Sequence, residues 1–140
     1  MPVVAVTVAG RTAPLSARRV VAAVSLVLRR ERKRARINVT VIGAVRMRRL
    51  NAEWMGHDWP TDVLSFALPD AGGELFGDVY VCRPVAVREA RRRRIALSQE
   101  LLRLVIHGTL HVIGYDHPED ESRTASPMWR RQERYLACLN

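Results

Sequence analysis

Branched and aromatic apolar residues fall in four short runs, and the segments between them place apolar residues three or four positions apart. The first kind of spacing predicts strands and the second predicts helices that bury one face. Residues 3–8 are a β-branched run closed by Ala9-Gly10, an opening strand. Ile37-Asn38-Val39-Thr40-Val41-Ile42 alternates weakly and ends at Gly43, a second. Val63-Leu64-Ser65-Phe66 and Val79-Tyr80-Val81-Cys82 are the third and fourth. Pro69, Asp70, Gly72 and Gly73 predict a turn over residues 68–74, and Phe76-Gly77-Asp78 extends it into a wide turn rather than a tight hairpin.

Helical spacing fills the gaps. Pro14 stands near the start of a helix whose buried stripe is Val20, Val21, Val24 and Leu28, and whose last turns carry the basic run of residues 29–36. That run is either a solvated face, favoured by the negative end of the helix dipole, or a contact for an RNA backbone. Residues 44–54 predict a second helix, with Val45 and Leu50 inward and Arg46, Arg48 and Arg49 towards water or phosphate. Gly56-His57-Asp58-Trp59-Pro60 ends it. Arg83-Pro84 opens a third helix running through Arg91 to Arg94. Ser98 is the expected cap of a fourth, whose Leu101, Leu102, Leu104, Val105 and Ile106 are so nearly continuous that it must lie at the centre of the protein. An acidic loop follows over residues 118–121, then a last amphipathic helix over 128–139 that packs through Met128, Trp129, Tyr135 and Leu136. Four clustered strands and about five interspersed helices predict an α+β domain with a small mixed sheet. At 140 residues the chain suits one domain over 1–140.

Charge narrows the partners. The formal net charge is +9 and the sequence pI about 11.1, which points to polyanions such as RNA or a ribosomal surface. Lys33 is the one lysine among 23 basic residues, a skew that genomic base composition would also produce. Cys82 and Cys138 form no C-x-x-C pair and read as buried thiols of a reducing compartment. Arg18-Arg19 precedes an apolar run, 20–28, too short to span a bilayer, and no small-residue cleavage site follows. The expected location is therefore cytoplasmic, without membrane contact, and no part of the pattern specifies an oligomeric state.

The chemistry is concentrated in His107-Gly108-Thr109-Leu110-His111-Val112-Ile113-Gly114-Tyr115-Asp116-His117. His107 and His111 are four apart, so a helix puts both imidazoles on one face, one turn apart. Gly114 stands where a helix can end at positive φ, and the reversal would carry His117 back to the pair. Three neutral imidazoles with an open fourth position are how catalytic zinc is held, although nickel, copper and iron accept the same donors. The spacing H-x-x-x-H-x-x-G-x-x-H is that of metzincin proteases, whose general base is a glutamate directly after the first histidine. Here that residue is Gly108, which has no carboxylate, so peptide hydrolysis by that route is disfavoured. On a basic protein, a Lewis-acid metal makes phosphodiester hydrolysis the natural reaction.

Those eleven residues, together with Pro60-Thr61-Asp62-Val63-Leu64-Ser65-Phe66, Leu50-Asn51 and Phe76-Gly77-Asp78-Val79, resemble the YbeY endoribonucleases. The blocks come in that family's order and spacing over most of residues 50–117, with a fainter continuation through Met128 and Glu133. The resemblance implies an α+β fold and one metal, usually zinc, at His107, His111 and His117. It also implies cleavage of single-stranded RNA, maturation of ribosomal RNA at the 3′ end of the small-subunit RNA, quality control of defective ribosomes, and the small ribosomal subunit as partner. One departure stands out. The family's L-N-x-x-aromatic-Arg-Gly segment usually carries an arginine where this chain, aligned through Leu50-Asn51 and Gly56, has Met55. A methionine can neither clamp phosphate nor stabilise charge on the cleaved group.

Arg46, Arg49 and His57 are the candidate substitutes, and His57 is also a candidate general acid. Asp116 is placed to orient a ligand imidazole or take a proton from water, or else to stabilise its turn. Asp62 and Ser65 are expected to line the cleft, the alternatives being a turn cap and plain strand alternation; Tyr115 is expected to pack. Three functions stay open at this point: a metal-dependent endoribonuclease, a ribosome-bound assembly factor with weak or no cleavage, and another hydrolase built on a His₃ metal.

Overall fold

Strand burial alternates as a half-covered sheet requires. The computed structural model describes residues 4–69, 72–117 and 121–139, so Val3, Asp70 and residues 118–120 of the acidic loop lie outside the described part. In chain order the elements are β1 (Val4–Gly10), α1 (Ala17–Arg30), β2 (Ala35–Ile42), α2 (Ala44–Met55), β3 (Val63–Pro69), β4 (Leu75–Cys82), α3 (Arg83–Arg93), α4 (Leu97–Val112), a 3₁₀ turn (Glu121–Ala125) and α5 (Pro127–Cys138). The strands form one sheet in the order β1-β2-β4-β3, parallel except for the antiparallel β3–β4 pair. This is the expected α+β architecture with a mixed four-stranded sheet.

Ile37, Val39, Val41, Val79 and Val81 point to one face of the sheet, where α1 and α4 cover them and α5 packs on those helices. Leu101, Leu102, Val105, Ile106 and Leu110 of α4 are fully enclosed there, so α4 is the central helix. A smaller cluster of Ile42, Met47, Leu64, Cys82 and Val85 seats α2 against the other face.

Several local expectations need correction. Phe76-Gly77-Asp78 is not a turn but part of β4. Gly77 is there because α4 comes so close: a Cβ would lie 2.4 Å from Val112 Cγ1 and 2.9 Å from Ile37 Cδ1. Ser98 does not cap α4; the cap position is Ala96, whose carbonyl accepts from the N–H groups of Gln99 and Glu100. Ser16 and Ser126 do cap, at α1 and α5. The basic run lies only partly on α1. Arg32 takes the left-handed conformation and Lys33 N–H bonds back to Leu28 O, which closes the helix before β2 begins at Ala35. Along α2 the inward residues are Met47 and Asn51, one turn apart, while Val45 is 69% exposed. Val21, read as part of the buried stripe of α1, is exposed. Cys82 is buried but Cys138 is exposed, on the outer side of α5. No described helix is long and apolar enough to cross a membrane.

Candidate metal centre

His107 and His111 project from the last turns of α4, and Gly114 at φ +111° turns the chain so that His117 comes back to them. The Nε2 atoms of His107 and His111 are 3.1 Å apart, and those of His107 and His117 are 3.2 Å apart. Hydrogen bonds on the far side of two rings settle what those nitrogens carry. His107 Nδ1 is 2.5 Å from Gln132 Oε1, and His111 Nδ1 is 2.9 Å from the Tyr115 carbonyl. Both partners only accept, so both Nδ1 atoms carry the proton and both neutral rings aim Nε2 lone pairs at one point. Lone pairs facing each other at that distance repel, and a cation between them turns the repulsion into coordination. The three side chains are the group of described residues whose donors converge in this way.

The rings are also held neutral. Burial lowers the His107 pKa to about 4, against the raising effect of its bond to Gln132, with the neighbouring His111 and His117 lowering it further. Burial and His117 lower His111 as well, opposed by the Tyr115 carbonyl and by Asp116 and Asp62. Neutral imidazole is the ligating form, so this environment favours a metal over protons. The donor set and its orientation fit a divalent transition metal with an open fourth position.

Behind the first ring stands a bonded chain. Gln132, only 1% exposed, donates from Nε2 to Glu133 Oε2 at 3.0 Å, which fixes its amide with Oε1 towards His107. Glu133 takes both arms of Arg103 at 2.9 and 3.0 Å, and Arg103 also reaches Glu100 Oε1 at 2.7 Å. Arg103 stands one turn before His107 on the same helix face. The turn carrying His117 is tied separately. Tyr115 donates from its hydroxyl to Glu31 at 2.6 Å, and Arg131 and Tyr135 bond the same carboxylate.

Gly108 faces the sheet rather than the histidines. A Cβ at that position would lie 2.4 Å from Val79 Cγ1 and 2.9 Å from Ser65 Oγ. The residue that a metzincin uses as base therefore has no room here for any side chain.

The triad lies in the wall of a cleft of about 550 Å³, which Asp62, Ser65 and Asp116 also line. Ser65 donates to Gly108 O at 3.0 Å, Asp62 Oδ1 accepts the Val63 N–H at 2.7 Å, and Asp116 Oδ1 accepts the His117 N–H at 2.8 Å. Met55 and His57 line the opposite wall, with the His57 ring flat on Trp59 at 4.6 Å and 8°. Arg46 and Arg49, expected at the cleft, are not among its lining residues. Arg46 lies over the Tyr80 ring, 5.5 Å from its centre, and Arg49 is exposed. Helix phase is the reason. Asn51 and Met55 share the cleft face, whereas Arg46 is turned about 180° from Met55 and Arg49 about 120°.

A family model described as endoribonuclease YbeY matches residues 10–140. The chain belongs to the YbeY family. A protein named endoribonuclease YbeY from Chromobacterium violaceum is 42% identical over 102 residues, 70% of this chain and 61% of that protein. Another of that name, from Chlorobium luteolum, is 39% identical over 120 residues, 84% of each chain. Among the first relatives matched the chain spans between 50% and 65% of their length. The solution structure of TM1509 from Thermotoga maritima aligns with a TM-score of 0.62 at 28% identity, over 96% of this chain and 88% of that one.

Within this YbeY-family cleft, sequence reasoning missed Gln132, Arg103, Glu100, Arg93, Arg123 and Trp129. Arg103 and Glu100 had a usable signal, since they extend the His107–His111 face of α4 backwards by one and two turns. Gln132 had none, because its role depends on how α5 docks on α4.

Proposed function

We propose that this protein is a metal-dependent endoribonuclease that cuts single-stranded RNA, acting in the cytoplasm on ribosomal RNA, at the 3′ end of the small-subunit RNA, and in ribosome quality control with the small subunit as partner. Family membership and the net charge of +9 support the RNA part. The observation that carries the reading is the convergence of the His107 and His111 lone pairs, with His117 beside them, on the wall of an open cleft. Zinc is the metal we propose, for its tolerance of three nitrogen donors and an open position. When bound it would supply Lewis acidity, lowering the pKa of a coordinated water towards ~7 and polarising a phosphoryl oxygen.

The chain's own groups do the rest. His107, His111 and His117 would hold the cation, and Gln132 and the Tyr115 carbonyl keep two of those rings in the ligating tautomer. Asp116 and Asp62, both near enough to favour a charge on His111, are our candidates to take a proton from the attacking water. His57, which lines the same cleft, is our candidate to give one to the leaving oxygen. Ser65 holds the strand edge that borders the bound RNA.

Cleavage of single-stranded RNA by zinc-loaded protein tests this, compared with His111→Ala at measured metal content. The variant should lose at least about 100-fold in rate, more than the loss of an outer partner of a ligand causes. Equal rates would overturn the proposal and mark a contaminating nuclease. Metal-dependent hydrolysis of small esters without RNA cleavage would favour another His₃ hydrolase. A second reading has its own support in Met55, which lines the cleft where the resemblance expects an arginine. In that reading the protein is an assembly factor, and it would copurify with the small subunit without cutting RNA.

A further inference from the structure

We infer that a second groove, beside the metal cleft and walled by arginines of α3 and the 3₁₀ turn, carries the RNA strand away from the metal. The inference rests on the endoribonuclease reading and adds to it where the strand lies. The groove holds about 290 Å³ and shares Trp59, Thr61, Asp62, Arg93, Glu100 and Arg123 with the cleft, so the two are continuous. Its other arginines are Arg88 and Arg92, one turn apart on α3.

At the junction stands a flat aromatic surface. Trp59 is 56% exposed while its ring lies parallel on His57, which leaves one face for a base. The loop is not free to swing. Asn51, buried on α2, donates to the Trp59 carbonyl at 2.8 Å, and Arg48 clamps Asp58 with bonds of 2.8 and 3.0 Å. Where the groove meets the cleft, Arg93 and Arg123 lie over the ring of Trp129, a residue of the cleft, 5.7 and 5.9 Å from its centre. Glu89 engages Arg92 and Arg93, but among the described residues no carboxylate pairs with Arg88 or Arg123. Their charge is available to phosphate.

A fixed aromatic platform followed by guanidinium groups is the chemistry of single-strand binding, since stacking accepts any base and the charges follow the backbone. It also answers the loss at Met55. Phosphate would be gripped on the α3 side of Asp62, not on α2.

The test measures binding of a labelled 2′-O-methyl oligouridylate to zinc-loaded protein by fluorescence anisotropy over a range of salt concentrations. For single strands the slope of log K against log salt falls by about 0.7 for each phosphate contact removed. The double variant Arg88→Gln/Arg123→Gln should therefore lose about 1.4 of slope. Arg18→Gln/Arg134→Gln removes the same charge elsewhere and should lose little. Trp59→Ala should weaken binding roughly 10-fold with the slope kept. Thermal melting of each variant shows that the fold is intact. Equal slope losses in the two double variants would overturn the groove, as would polyglutamate displacing the oligonucleotide as well as unlabelled RNA does, which would mark an acidic protein as occupant. RNA cleavage that persists with an unchanged slope sinks the groove and leaves the endoribonuclease reading standing. Normal groove binding without cleavage does the reverse.

Discussion

The two walls of the cleft are built differently. On the α4 wall the bonds run in series: His107 leans on Gln132, His111 on the Tyr115 carbonyl, and Gln132 on Glu133, which Arg103 holds in turn. On the α2 wall Met55 is 50% exposed and the His57 and Trp59 rings hold each other by stacking, while buried Asn51 bonds only the backbone of their loop. The difference fits what the proposed function asks of each side. Metal ligands have to be placed within a few tenths of an ångström, and burial with directed bonds supplies that. A wall that meets a polymer of varied sequence needs shape and charge, not a fixed lattice of bonds. It follows that substitutions on the first wall should act through the metal, and those on the second through the RNA.

The most severe break in this contrast is Gln132→Ala. The variant leaves all three ligands in place but frees the His107 ring and its tautomer. Zinc affinity, measured by competition with a chromogenic chelator, should fall about 10- to 100-fold. Glutamate at 132 keeps an acceptor towards His107 Nδ1, so Gln132→Glu should keep most of that affinity, a rescue that a purely structural role for the residue would not give. Unchanged affinity in Gln132→Ala would mean that the bonded chain behind His107 is incidental.

How much of this was legible in the sequence varies with the range of the contacts. The triad was legible because everything that makes it is local: two histidines one turn apart, then Gly114 to reverse the chain. The four strands and five helices were legible for the same reason, as periodicity reports which face is covered. Glycine was ambiguous. Gly77 signalled a turn, but its lack of a side chain is used instead for the approach of Val112, a contact between residues far apart in the chain. Helix phase failed on α2, where Val45 and Met47 are both apolar and only docking decides that Met47 is inside. Arg46 and Arg49, named as neighbours that could replace the arginine missing at Met55, are turned away from the cleft by the true phase. Gln132 was illegible because a polar residue on a polar helix has no meaning until its neighbour across the interface is known.

Met55→Arg sharpens the contrast from the other side. The residue lines the cleft with half its surface open, so a guanidinium can extend there without displacing a core residue. Cleavage of single-stranded RNA should rise about tenfold, less than the factor of about 100 or more attached to a buried, preorganised donor, because this one remains solvated. Zinc affinity should not move. A change in zinc affinity would show that the two walls are coupled after all.

The smallest effect is expected at the outermost support of the α4 wall. Glu31 is nearly buried between α1, α5 and the turn carrying His117, and its carboxylate accepts from Tyr115, Tyr135 and Arg131. Burial pushes its pKa up, but the two tyrosine bonds and Arg131 outweigh burial and hold it below the usual carboxylate value. A carboxyl group whose pKa is lower folded than unfolded binds a proton more readily in the unfolded chain. Its stabilisation is therefore complete above the unfolded pKa and is lost as pH falls through the folded one. Glu31→Gln keeps an acceptor but removes the charge, and should cost about 1 kcal/mol at neutral pH in urea denaturation. The gap between wild type and variant should close on acidification, since protonated Glu31 and glutamine are then nearly equivalent. A gap independent of pH would place the cost in packing rather than charge, and the turn beneath His117 would then be held by shape alone.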